Sequence, residues 1–111
     1  MSYRSKYGNK PTKIDGIRFA SKKEAGRYLF LKEEEKTGRI KALRTQPRYN
    51  LLQPYTIGER KVRGIDYVAD FEYYTVDDVL VIEDVKGVET DVFKLKRKFF
   101  EKLYMIELTI I

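Results

Sequence analysis

The residues best placed to do chemistry close an apolar run, Val79-Leu80-Val81-Ile82-Glu83-Asp84-Val85-Lys86. Read as a β-strand, the run alternates faces with period two, so Leu80, Ile82, Asp84 and Lys86 share one face and Val79, Val81, Glu83 and Val85 the other. An acid and a lysine then stand side by side at the rim of a core. The preceding segment alternates through Ile65, Tyr67, Ala69, Phe71 and Tyr73 and carries Asp70 on its other face. A three-residue loop at Val76-Asp77-Asp78 sets Tyr74 opposite Leu80 and Asp70 opposite Asp84, with Cβ atoms ~5 Å apart. Other loop lengths give other registers. Two carboxylates that close repel unless a cation lies between them. They can hold Mg²⁺, which polarises a phosphate and acidifies a bound water, while the lysine stabilises the negative charge that develops. The set suits hydrolysis of a phosphodiester. The same residues also fit a bland reading, a surface ion pair of little energetic consequence with an ordinary strand-end acid nearby.

Composition narrows the alternatives. Among the 111 residues there is no cysteine and no histidine. Disulfides, thiolate zinc sites, imidazole ligands and the usual Ser-His and Cys-His nucleophile schemes are all excluded. Enzymatic chemistry here rests on carboxylates, lysines, hydroxyls or a metal held by oxygen. The chain has 23 basic and 17 acidic residues, a net charge of +6. The excess sits at the front, where Arg4, Lys6, Lys10, Lys13, Arg18, Lys22 and Lys23 face only Asp15 in acids. A basic arm beside a balanced domain points to a polyanion, with nucleic acid first. A solvated tail is the plain alternative. No apolar stretch approaches the ~20 residues of a membrane span, and the first residues lack a secretory signal. A cytoplasmic location is expected.

The positioning elements follow from local pattern. Residues 1–11 read as a flexible basic arm and residues 12–111 as one domain. Asp15-Gly16 between short apolar segments predicts a hairpin with a type I′ turn. Ser21-Lys22-Lys23-Glu24 opens a helix with a capping-box signature, running to about Thr37, with Gly38 just past its end. Strands are expected from Ile40 to Leu52, broken or bent at Gln46-Pro47, from about Arg60 to Tyr74, and from Val79 to Lys86. A second helix starts near Thr90 and ends around Leu103, with Val92, Leu95 and Phe99 as its apolar stripe. Ile106 to Ile111 closes the chain as a buried strand. One mixed sheet flanked by two helices, an α/β fold, accommodates this order. Glu24 has two readings, a capping residue bonded back to Ser21 or, with Tyr28 and Leu31 on the same helical side, an inward-facing acid. Lys94, Lys98 and Lys102 line one face of the second helix, either as a solvated face or as a phosphate track. The tyrosines, among them Tyr49, Tyr55, Tyr67, Tyr73 and Tyr74, are read as packing groups rather than base-stacking platforms.

Asp70 followed by Asp84-Val85-Lys86 at the end of an apolar strand resembles the PD-(D/E)XK nuclease motif. More narrowly, the chain resembles small phage-encoded endonucleases likened to Holliday junction resolvases. That likeness rests on Lys6-Tyr7-Gly8-Asn9-Lys10, on Asp15 to Ala25 (DGIRFASKKEA), and on Gln46-Pro47, Asp70-Phe71 and Glu83-Asp84-Val85-Lys86-Gly87. It implies an α-β-β-β-α-β restriction-endonuclease-like core preceded by the N-terminal hairpin. It implies Asp70, Asp84 and Glu24 as metal-binding and catalytic acids for Mg²⁺, with Mn²⁺ as a substitute, and Lys86 as the catalytic cation. Lys6, Lys10, Lys13, Lys22, Lys23, Lys94, Lys96 and Lys98 are the expected DNA-binding groups. The implied substrate is branched DNA in a bacterial host's cytoplasm, and a two-fold junction suits a homodimer. The rival is a non-catalytic DNA-binding recombination accessory protein of the same fold. Two positions depart from the pattern: Ala69 stands where a proline often precedes the first acid, and the second acid is Asp84 rather than the commoner glutamate.

Overall fold

The computed structural model describes residues 11–111. A first hairpin pairs β1 (Thr12–Ile14) with β2 (Ile17–Phe19) through Asp15 and Gly16. Their φ values of 53° and 77° are the two positive angles a type I′ turn requires. Helix α1 (Lys22–Lys36) begins where the Ser21 hydroxyl accepts from the Glu24 N–H at 3.1 Å and ends at Thr37, with Gly38 at φ 82°. Both ends fall where the capping residues place them.

The main sheet has four strands in the order β10-β9-β8-β3, namely Thr109–Ile110, Leu80–Asp84, Phe71–Thr75 and Ile40–Thr45. β3, β8 and β9 are antiparallel, and β10 runs parallel to β9 after the crossover through α2 (Asp91–Tyr104). The β8–β9 register sets Tyr74 against Leu80 and Phe71 against Glu83, as the three-residue loop requires. Each face of the sheet carries its own core. Phe19, Tyr28, Leu31, Phe71 and Tyr73 pack with Val81 and Val85 on the α1 side. Ile82, Tyr67, Ala69, Phe93, Phe100 and Leu108 pack on the α2 side. The domain is therefore mixed α/β, a multi-strand sheet between two helices. No helix among the described residues is long and apolar enough to cross a membrane.

The strand from Ile40 to Leu52 breaks, as expected, at Gln46, whose φ is 51°, and Pro47, giving β3 and β4 (Arg48–Leu52). Four expectations need correction. The strand from Arg60 to Tyr74 is three: β6 (Arg60–Val62), β7 (Ile65–Val68) and β8. β4 pairs with β7, and β5 (Tyr55–Ile57), which the sequence pattern did not reveal, pairs with β6. The alternation through Ile65 to Tyr73 also breaks at Asp70, because Tyr67 and Ala69 face α2 while Phe71 and Tyr73 face α1. The pairs Thr45–Phe71 and Arg48–Val68 keep the same offset, so the two strands bend together rather than slip. The closing strand shrinks to Thr109–Ile110, with Thr109 exposed. Finally, Val92, Leu95 and Phe99 point to solvent, and α2 packs inward through Phe93 and Phe100.

Candidate active site

Three backbone events bring the site together. Strands β3–β4 and β7–β8 bend at one level, held by Gln46 N–H to Asp70 O at 2.8 Å and Ala69 N–H to Pro47 O at 3.0 Å. The bend leaves Asp70 between two ladders, with its own N–H donating to Glu83 O at 3.1 Å. β9 then ends at Asp84. The next N–H, of Val85, donates to the Asp70 carboxylate at 2.6 Å instead of to a strand. On the other side Ile111 N–H donates to Asp84 O at 2.9 Å, and Lys86 N–H to Ile111 O at 3.3 Å. The Lys23 ammonium caps this corner by donating to Lys86 O at 3.2 Å and Ile111 O at 3.1 Å.

Asp84 is 1% exposed. The buried Tyr67 hydroxyl donates to its Oδ2, and the Lys86 ammonium lies 3.0 Å from Oδ1. Lys86 Nζ also sits 4.2 Å from the centroid of the Phe93 ring, so the charge rests between a carboxylate and an aromatic face. The Phe71–Glu83 pairing and the Val85 N–H bond set Asp70 beside Asp84 at the end of β9. Burial, first, and then the charge of Asp84 and a bond to it hold the Asp70 carboxyl well above the usual carboxylate range. The Val85 N–H pulls the other way, and the charge of Glu24 adds to the rise.

Glu24 is buried, and its carboxylate has no hydrogen-bond partner among the described residues. The return bond to Ser21 that would complete a capping box is absent, so the cap is made by Ser21 alone. Glu24 therefore contributes negative potential toward Asp70, although no three carboxylates among the described residues gather at metal-ligand spacing. Glu83 turns to the opposite face, where Arg27 holds it with two bonds of 2.8 and 2.6 Å and Tyr73 donates a third.

Of the candidate phosphate-binding groups, Lys13, Lys22, Lys94 and Lys98 are exposed. Lys23 is engaged as described, and Lys96 donates to Asp66 O at 2.9 Å. Lys6 and Lys10 lie outside the described residues. Tyr67 is the site residue that sequence reasoning missed. It belongs to the aromatic core with Tyr49, Phe93 and Phe100, and the alternation assigned it to the face away from Asp70.

The chemistry of this donor set fits a hard cation. Both carboxylates keep lone pairs beyond those engaged by Val85, Tyr67 and Lys86, and Mg²⁺ sites commonly draw on one or two carboxylates plus water and phosphate oxygens. The chain matches, over residues 4–111, a family described as a protein of unknown function, DUF1064. The chain belongs to the DUF1064 family. No curated protein and no solved structure matches this DUF1064 chain.

One consequence of the pair is measurable without substrate. A carboxyl whose folded pKa is raised adds stability that is full below its unfolded pKa and is lost as pH rises through the folded value. In EDTA, Asp70→Asn is therefore expected to be more stable than wild type at about pH 8 by about 1–3 kcal/mol, the equivalent of one or two pKa units. The advantage shrinks toward about pH 4. Added Mg²⁺ raises the melting temperature of wild type and leaves the variant unmoved. Thermal melts at both pH values check all three outcomes.

Proposed function

We propose that this protein is a Mg²⁺-dependent DNA endonuclease with a restriction-endonuclease-like α-β-β-β-α-β core of the PD-(D/E)XK kind, acting on branched DNA. The observation that carries the reading is the Asp70–Asp84 pair at the end of β9, with the Lys86 ammonium on Asp84 Oδ1. Two carboxyls buried side by side cost stability when both are ionised, a cost that a bound cation offsets, and this supports a metal-binding role for the pair.

When bound, Mg²⁺ supplies Lewis-acid polarisation of the phosphate and an acidified water. Asp70 and Asp84 hold it, and Glu24 deepens the negative potential behind them. Val85 N–H fixes one oxygen of Asp70, and Tyr67 fixes one oxygen of Asp84, so both carboxylates are oriented before any ligand arrives. Lys86, leaning on Phe93, presents its charge to the phosphoryl oxygens as negative charge builds there. The exposed Lys13, Lys22, Lys94 and Lys98 bind backbone phosphates around the centre.

The test is to incubate the protein with a labelled four-way junction and with linear duplex, each with Mg²⁺, Mn²⁺ or EDTA. Nicking of the junction that needs the metal and spares the duplex is expected. Cleavage of both leaves a general nuclease. Binding without cleavage under any condition overturns the enzymatic reading in favour of an accessory DNA-binding protein.

A further inference from the structure

Helix α2 shows solvent an apolar stripe that a solitary domain has no reason to keep. Val92 (64% exposed), Leu95 (57%), Phe99 (55%) and Leu103 (55%) follow one another at helical spacing. The helix already buries Phe93 and Phe100 against the sheet, so this stripe is a second apolar face beside the first. Scattered exposed aliphatics are ordinary, but a continuous row on one helix marks a contact surface.

We propose that this face binds a second copy of the chain, with two α2 helices packed antiparallel about a two-fold axis. The apolar stripe is self-complementary in that arrangement. With the axis at the level of Arg97, Leu95 of each copy lies opposite Phe99 of the other. Asp91 and Lys102 lie eleven residues apart, close to three turns, and so share one edge of the stripe. The antiparallel pairing brings Asp91 of each copy beside Lys102 of the other, making two opposite-charge contacts by symmetry. The area is also of the right order. Four side chains, each exposing on the order of 100 Å², give about 400 Å² per copy, and the stem of Lys102 adds to it. A standard interface buries roughly 800 Å² per partner. An anionic membrane would accept apolar and lysine side chains too, but it gains nothing from Asp91 on that edge. The proposal stands independently of the nuclease reading.

Sedimentation equilibrium of the full chain from about 1 to 100 µM tests it. Wild type is expected at twice the 13.2 kDa chain mass, and a Leu95→Glu, Phe99→Glu double variant at 13.2 kDa with an unchanged far-UV spectrum. Because both residues are exposed, the variant retains its fold. Lys102→Glu weakens the dimer by about tenfold or more by turning two attractions into repulsions, and adding Asp91→Lys restores it. A wild-type monomer throughout the range overturns the proposal, as does a dimer unmoved by the double variant. Failure of the charge swap to restore association overturns the antiparallel arrangement. Monomeric wild type that floats with anionic lipid vesicles assigns the stripe to a membrane instead.

Discussion

Arg27→Ala is expected to destabilise the domain by about 3–5 kcal/mol, the range for removing one partner of a buried ion pair. Glu83 is 1% exposed, on the face of β9 that meets α1. Both of its oxygens are occupied, one by Arg27 Nε and the other by Arg27 Nη2 and the Tyr73 hydroxyl. Alanine leaves a buried carboxylate with a single neutral donor. The effect is large against a total stability of about 5–15 kcal/mol, and melting should fall by about 15 °C or more. The pair's own contribution is another matter. Replacing both partners together, Arg27→Met with Glu83→Leu, is expected to recover most of the loss, because the desolvation of two charges disappears along with their attraction. Urea melts of the single and double variants separate the two effects. A single variant as stable as wild type would mean that Glu83 is not buried in solution. Glu83 is bonded to its neighbours in space and Asp84 follows it in the chain, so the ion pair also fixes the end of β9 that carries the site.

What the sequence could show of this arrangement was set by how local the controlling interactions are. The ends of α1 rest on Ser21 and Gly38, and the type I′ turn rests on Asp15-Gly16, so both were legible from neighbouring residues. The β8–β9 register followed from loop length and alternation, and with it the approach of Asp70 to Asp84. The bend at Asp70 was not legible, because it depends on Gln46 and Pro47 in a strand more than twenty residues away. Missing that bend placed Tyr67 on the wrong face and hid its bond to Asp84. The hairpin β5–β6 went unseen because it is exposed on both faces and so carries no burial pattern to read. On α2 the periodicity was real but doubled: Phe93 and Phe100 form one apolar row, and Val92, Leu95 and Phe99 another. Period alone cannot say which row meets the sheet. The burial of Glu24 shows the same limit, since a capping box and an inward acid call for the same residue at the same spacing.

The largest kinetic effect is expected from Lys86. Lys86→Met keeps an unbranched stem against Phe93 and deletes only the charge, which makes it the cleaner variant; Lys86→Ala removes both. If Lys86 acts where negative charge develops on the phosphoryl group, Met lowers kcat for junction cleavage by about 10²–10³-fold. DNA affinity, carried by the exposed lysines, stays within about twofold. The metal-free protein gives a second readout. Lys86 is the cation that offsets Asp84 in the absence of a metal, so both variants lose stability in EDTA, and saturating Mg²⁺ recovers part of it. The Mg²⁺-induced rise in melting temperature is therefore larger in Lys86→Met than in wild type, while cleavage is lost. A purely structural lysine would instead lower stability and leave kcat per folded molecule unchanged. A phosphate-anchoring lysine would raise KM and leave kcat alone. Single-turnover cleavage at saturating DNA, measured beside Mg²⁺-dependent melts, distinguishes the three roles, and an unchanged single-turnover rate in Lys86→Met would remove Lys86 from the reaction.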